Sequence, residues 1–253
     1  MARCDPAEPA TGPGGATGGA ARPVATSAGT AASAATAARR ELAEAVRELA
    51  ELVVDADVPG PVLAALAGDL DPLADELCAS VGATSPLRSL GLVDTRAGAG
   101  PARLPDLHDV MLADIVVGPC NPFAAPLAVT SEGGVAVATG TFPSRYEGAP
   151  GQVQAGTVAA AFDIVLAAAN RLAGTTGPTV ELTLAQHHPT RTGVPVRLEA
   201  TVVRSDDRRV VSDGRLVQEG IVTATATGTF AVLSLDEIRS LLDRSRRRRR
   251  PAP

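Results

Sequence analysis

Hydrophobic and polar positions follow two different periods along this chain. From residue 38 to 81 the period is helical. The stretch RRELAEAVRELAELV sets Leu42, Val46, Leu49 and Val53 on one stripe, with Glu and Arg opposite. DVPGPV breaks that helix. VLAALAGDLDPLADELCASVG then places Leu63, Leu66, Leu70, Leu73 and Leu77 near the same spacing, with Pro72 expected to kink or divide the helix. Two amphipathic helices joined by a short turn read as a helical hairpin over 38–81. It is too small to bury its own stripes, so it is expected to dock on the rest of the chain or on a partner.

Residues 1–37 are Ala, Gly, Thr, Ser and Pro with few large apolar groups, and are expected to be disordered. Residues 82–108 are rich in Gly, Pro and Ala and read as a linker, and His108 at its end is given no role. A domain over 109–233 follows, where the period becomes two. APLAVTSEGGVAVATGTF is a pair of apolar runs around Glu132-Gly133-Gly134, a hairpin signal. A long apolar helix comes next. Beyond it Val194, Val196, Leu198, Ala200 and Val202 alternate with polar neighbours, as do Val222, Ala224, Ala226, Gly228, Phe230 and Val232. SDD and QEG mark tight turns. Two strands, one helix and about four strands give an α+β fold, an antiparallel meander around a single helix. Residues 234–253 hold a short helix, with Ser234 and Glu237 at capping-box spacing, and the run Arg246–Arg250. With no aromatic platform beside it, that run reads as a solvated end rather than a nucleic-acid contact.

Composition narrows the core. The chain has 253 residues and a net charge of -5; it is 45% hydrophobic but only 2% aromatic. The core must therefore be built from Ala, Val and Leu. Cys4, Cys78 and Cys120 are scattered, without a C-x-x-C or a disulfide framework, which suits a reducing cytoplasm. No signal-peptide pattern opens the chain, and Val158–Ala169 reads as too short to span a bilayer, so neither a membrane nor a nucleic-acid partner is expected.

One residue disturbs the apolar helix. Asp163 sits among Val158, Ala159, Ala160, Phe162, Ile164, Leu166 and Ala167, none of which is charged. A buried, unpaired carboxylate costs several kcal/mol by order of magnitude. Its partner must come from elsewhere in the fold or from a substrate or water; alternatively, Asp163 faces solvent at a sheet edge. The helix begins after GAPGQVQAG. The first amides of a helix lack intrahelical acceptors and its dipole makes that end positive. The N–H groups of Ala155 and Gly156 are thus candidates to hold an oxyanion, with Asp163 about two turns further on.

RYEGAPGQVQAGTVAAAFD resembles the pattern R-Y-x-G-x-x-G-x-V-H-G-G-x-x-A-x-x-x-D of the hotdog-fold, PaaI-type (THEM-like) acyl-CoA thioesterases. Arg145, Tyr146, Gly148, Gly151, Val153, Gly156, Ala159 and Asp163 fit it. Upstream, Asn121, Pro122, Pro126 and Leu127 match; downstream, Thr179, Leu182, Pro189, Gly193 and Leu198 do. The likeness spans about 115–233. It implies a hotdog fold with Asp163 as base or nucleophile, the Ala155 N–H as oxyanion donor and Thr179 orienting water or substrate. It also implies an acyl-CoA substrate, with Asn121, Tyr146 and Gly148 as candidate binding residues. A homodimer or dimer of dimers sharing its active sites between subunits is implied too, with no cofactor.

The chain departs from the pattern where His-Gly-Gly becomes Gln154, Ala155 and Gly156. Gln donates and accepts hydrogen bonds but carries no proton. Two readings stay open: a thioester hydrolase, or a hotdog protein that binds acyl-CoA or another acyl ligand with impaired turnover. His187 and His188 point to opposite faces of their strand, so no metal site is expected from them.

Overall fold

The hairpin that opens the domain turns on two glycines. Gly133 and Gly134 have φ of 55° and 85°, the left-handed pair that a two-residue type I′ turn requires. They join β1 (Leu127–Glu132) to β2 (Val135–Thr141). A computed structural model describes residues 27–80, 104, 106–175 and 177–232. The expectations for residues 1–26, most of the 82–108 segment, and the capped helix and arginine run after 232 lie outside the described residues.

After β2 comes a single 3-10 turn (Ser144–Tyr146). The long helix, Ala155–Leu172, leads into β3 (Thr179–Gln186), β4 (Pro195–Ser205), β5 (Arg209–Gln218) and β6 (Ile221–Ala231). The strands form one antiparallel sheet in the order β1-β2-β4-β5-β6-β3, so β1 and β3 are its free edges. SDD and QEG both fall at tight turns, as expected. Asp206 accepts from the amides of Arg208 and Arg209, which holds its carboxyl below the usual range. Glu219 and Gly220 supply the second positive-φ pair.

The helix lies across one face of this sheet and buries Val158, Phe162, Val165 and Leu166. Cross-strand registers explain the fit. Ala136 pairs with Ala200, Ala200 with Gly214 and Gly214 with Ala226, a row of small residues across four strands. A Cβ at Gly214 would stand 3.2 Å from the Phe162 ring, so a strand glycine and a helix aromatic are complementary. The adjacent row, Ala138, Leu198, Leu216 and Ala224, is also buried. Each such large side chain contributes about 1.5–3 kcal/mol of burial. Of the described helices, Ala155–Leu172 alone is long and apolar enough to cross a membrane, contrary to the sequence estimate. Here it is the core helix of the sheet.

Four expectations change upstream. The first helix, α1 (Ser27–Asp55), begins well before residue 38. Its early turns are mostly Ala, the strongest helix former, and need no large side chain to be helical. α1 docks with its polar face: Ala43 is buried, while Arg40 donates to the His108 carbonyl and Arg47 to the Asn121 carbonyl. The predicted stripe residues Leu42, Val46 and Val53 are exposed. Complementary hydrogen bonds, rather than apolarity, select the docking face. α2 (Gly60–Ala79) runs unbroken through Pro72, buries no residue and does not pack along α1, so the two helices follow one another without forming a packed hairpin. Finally, the end of the expected linker belongs to the domain. Leu104 and Leu107 enter the core, α3 (Leu107–Val110) is capped by Asp106, and the His108 ring bonds the Leu127 carbonyl at 3.0 Å. The Ala155–Leu172 helix is α4.

Candidate active site

The N-terminal end of α4 is built by Gln154. Its side chain folds back and its Oε1 accepts from the Thr157 amide at 3.0 Å, making Gln154 the N-cap. Ala155 and Gly156 precede any intrahelical acceptor, and both are exposed. Gly156 permits the fold-back, because a Cβ there would stand 2.8 Å from Gln154 Oε1. Gly148 permits it from the other side: its Cβ would meet the Gln154 backbone at 3.1 Å. With Oε1 committed to Thr157, the hydrogens on Nε2 are what Gln154 has left to offer a ligand.

Asp163 lies eight residues after Ala155, about 12 Å along the axis at 1.5 Å per residue. It is half-buried on the face of α4 that meets the start of β3. Thr179 Oγ1 donates to Asp163 Oδ1 at 2.6 Å. Thr179 itself is exposed on the free edge strand, and the next residue, Val180, is 58% exposed. Within one chain, then, the Gln154–Gly156 group and the Asp163–Thr179 pair are separate. Two clefts, of about 560 and 530 Å³, lie away from both; the first follows β1 and the second separates α1 from the 117–126 segment.

The remaining candidates are held by the scaffold. Tyr146 packs edge-on against Phe142, donates from Oη to the Phe123 carbonyl at 2.9 Å, and accepts the Gln154 amide on its own carbonyl at 2.8 Å. Burial pushes the Tyr146 phenol up, against the lowering effect of Arg145 beside it. Asn121 uses both ends of its amide within its loop, toward the Ala113 carbonyl and the Phe123 amide. Tyr146 thus touches Gln154 through its backbone carbonyl, whereas the Asn121 side chain bonds only within its own loop. His187 reaches Thr225 Oγ1 at 2.9 Å, and the His188 amide donates to the Thr223 carbonyl. Among the described residues, no three His, Cys, Asp or Glu side chains gather into a metal-holding group.

Sequence reasoning missed Glu51. It reaches out of α1 to accept from the Ser144 amide at 2.9 Å, from Ser144 Oγ, and from Arg145 NH1 at 2.6 Å. Partial burial would raise its carboxyl pKa, but the bonds from Ser144 and Arg145 together outweigh that and leave it below the usual range. On sequence alone Glu51 is one more polar residue on an amphipathic helix, and no local pattern marks it.

No protein-family model matches the sequence, and no curated protein does. Solved structures do. One thioesterase superfamily protein is 26% identical with a TM-score of 0.64, over 76% of this chain and 90% of that one. A variant of the phenylacetic acid degradation protein PaaI from Thermus thermophilus is 25% identical over 42% of this chain and 93% of that one, with a TM-score of 0.40. A Streptococcus mutans protein solved with acetyl CoA is 16% identical over 43% and 89%, with a TM-score of 0.41. Together with the single antiparallel sheet wrapped on one central helix, the longest of these likenesses shows that the chain has the hotdog fold of a thioesterase superfamily protein.

Proposed function

We propose that this protein is an acyl-CoA thioesterase of the PaaI type, working as a homodimer. The observation that carries the reading is the Asp163–Thr179 pair at the exposed β3 edge. Thr179 binds one carboxylate oxygen and fixes the orientation of the other, which is left to take a proton from water or to attack the carbonyl. The amides that would hold the resulting oxyanion are those of Ala155 and Gly156. At about 12 Å from Asp163 in the same chain, they cannot serve the same small carbonyl. A second copy paired along β3 would bring its own helix end toward Asp163, completing two equivalent sites and covering a free strand edge.

In this reading water adds to the thioester carbonyl and Asp163 accepts its proton. The oxyanion rests on the Ala155 and Gly156 amides, with Gln154 Nε2 as a further donor. Collapse breaks the C–S bond and releases the carboxylic acid and the thiolate, which takes up, directly or through solvent, the proton that Asp163 gives back. A thiol has a pKa of about 8.5, so the thiolate departs without a proton delivered in advance. Gln in place of His therefore removes less than it would where an alkoxide leaves.

Gln154 also favours a second reading, a protein that binds acyl-CoA without turning it over, since a glutamine at the N-cap carries no proton. Acyl-CoAs of graded chain length, with free thiol as readout, separate the two. Turnover of any of them supports hydrolysis. Saturable binding without thiol release supports the second reading.

A further inference from the structure

α1 belongs to no part of the sheet, yet it grips the loop that delivers Gln154. Glu51 holds Ser144 and Arg145 across 93 and 94 residues of sequence. The Arg145 guanidinium lies 4.8 Å over the centre of the Tyr146 ring. Tyr146 in turn accepts the Gln154 amide on its carbonyl. One turn earlier on α1, Arg47 donates to the Asn121 carbonyl at 2.9 Å, in the segment whose Phe123 carbonyl receives the Tyr146 hydroxyl. Two residues on one face of α1 thus hold both structures that fix Tyr146. The loop between Ser144 and Gln154 closes on itself through Glu147–Val153 pairing and a Gly148 to Gln152 bond, so a shift at its start is passed to its end.

Arg145 gives this arrangement its weight. Its side chain is 13% exposed and its buried Nε has no partner. A cation so placed depends on Glu51 for compensation, because breaking a largely buried pair leaves an uncompensated charge.

We infer that Glu51 is a positioning residue for the helix-end oxyanion site, acting through Arg145 and Tyr146 on Gln154, Ala155 and Gly156. The inference rests on the thioesterase reading for its catalytic half. The structural half is read without substrate, because Tyr146 is the chain's one tyrosine and there is no tryptophan. Every tyrosine signal therefore reports this position.

The experiment uses the full chain as wild type, Glu51→Gln and Glu51→Asp. Phenol absorbance and near-ultraviolet circular dichroism follow Tyr146, and thioester hydrolysis gives kcat and KM. In Glu51→Gln the phenol should titrate at lower pH than in wild type, because the guanidinium is no longer neutralised. Its kcat should fall about ten- to a hundredfold, with KM little changed, as when reacting groups move by about an ångström. Glu51→Asp should recover part of both. An unshifted Tyr146 signal in folded Glu51→Gln overturns the inference. So does a shifted signal with unchanged kcat, which reduces Glu51 to a local brace. A wild-type protein that binds acyl-CoA but releases no thiol overturns the thioesterase reading instead, and is told apart because the Tyr146 shift is measured without substrate.

Discussion

Thr179 Oγ1 donates to Asp163 Oδ1 at 2.6 Å, joining the first residue of an edge strand to the lone acid of the core helix. The bond answers what keeps a carboxylate in an apolar helix: a hydroxyl partner and a location at the open rim of the sheet. If it orients the reactive oxygen, Thr179→Val should lower kcat by about tenfold and leave KM near wild type, less than the roughly hundredfold or more lost with a general base itself, because Asp163 remains. Thr179→Ser should retain most activity. Steady-state kinetics of the two variants check this.

Gln154 is predicted to matter twice. Gln154→Ala removes the acceptor of the Thr157 amide and should cost about 1 kcal/mol of stability, the usual worth of an N-cap. Denaturant unfolding measures it. Gln154→His restores the motif residue, and if leaving-group protonation limits the rate, turnover should rise. A fall would assign Gln154 a donor role that His does not fill.

The core makes a separate prediction. Gly214→Ala brings a methyl to 3.2 Å from the Phe162 ring and 3.0 Å from the Glu199 carbonyl, and should destabilise by about 1–3 kcal/mol through overpacking. Adding Phe162→Leu should make the pair less costly than the sum of the single changes. Chemical denaturation of the three variants decides it.

Acid should loosen the grip of α1. The Glu51 pKa is lowered in the folded protein, so its contribution is complete above the ordinary carboxylate value and is lost as pH falls through the depressed folded value. The Tyr146 near-ultraviolet signal should stay constant down to the ordinary glutamate range and change only below it. A change centred above about pH 4.5 would contradict the assignment.

The meander around one helix was legible in the sequence because its signals are local. Alternation marked the strands, Gly133-Gly134 and Glu219-Gly220 marked the turns, and the helix was a long apolar run. Resemblance marked Asp163 and Thr179 as separate site residues, with Thr179 orienting water or substrate; the bond between them was not legible, since sixteen residues and a loop separate the pair. The docking of α1 was misjudged for a physical reason. Patterning identifies which face avoids water, but Arg40, Arg47 and Glu51 meet carbonyls and an arginine whose positions only the folded domain sets. Leu104 and Leu107 were hidden in the same way, as two apolar anchors in a stretch rich in Gly, Pro and Ala.

The central claim is that Asp163 performs thioester hydrolysis. The most direct measurement is free thiol release from an acyl-CoA by wild type and Asp163→Asn at equal concentration, with circular dichroism confirming that both are folded. Asparagine keeps the shape and accepts the Thr179 bond but neither takes a proton nor attacks a carbonyl. The account predicts that kcat falls by at least about a hundredfold, the usual scale for losing a general base. Thiol release by folded Asp163→Asn at the wild-type rate would contradict it.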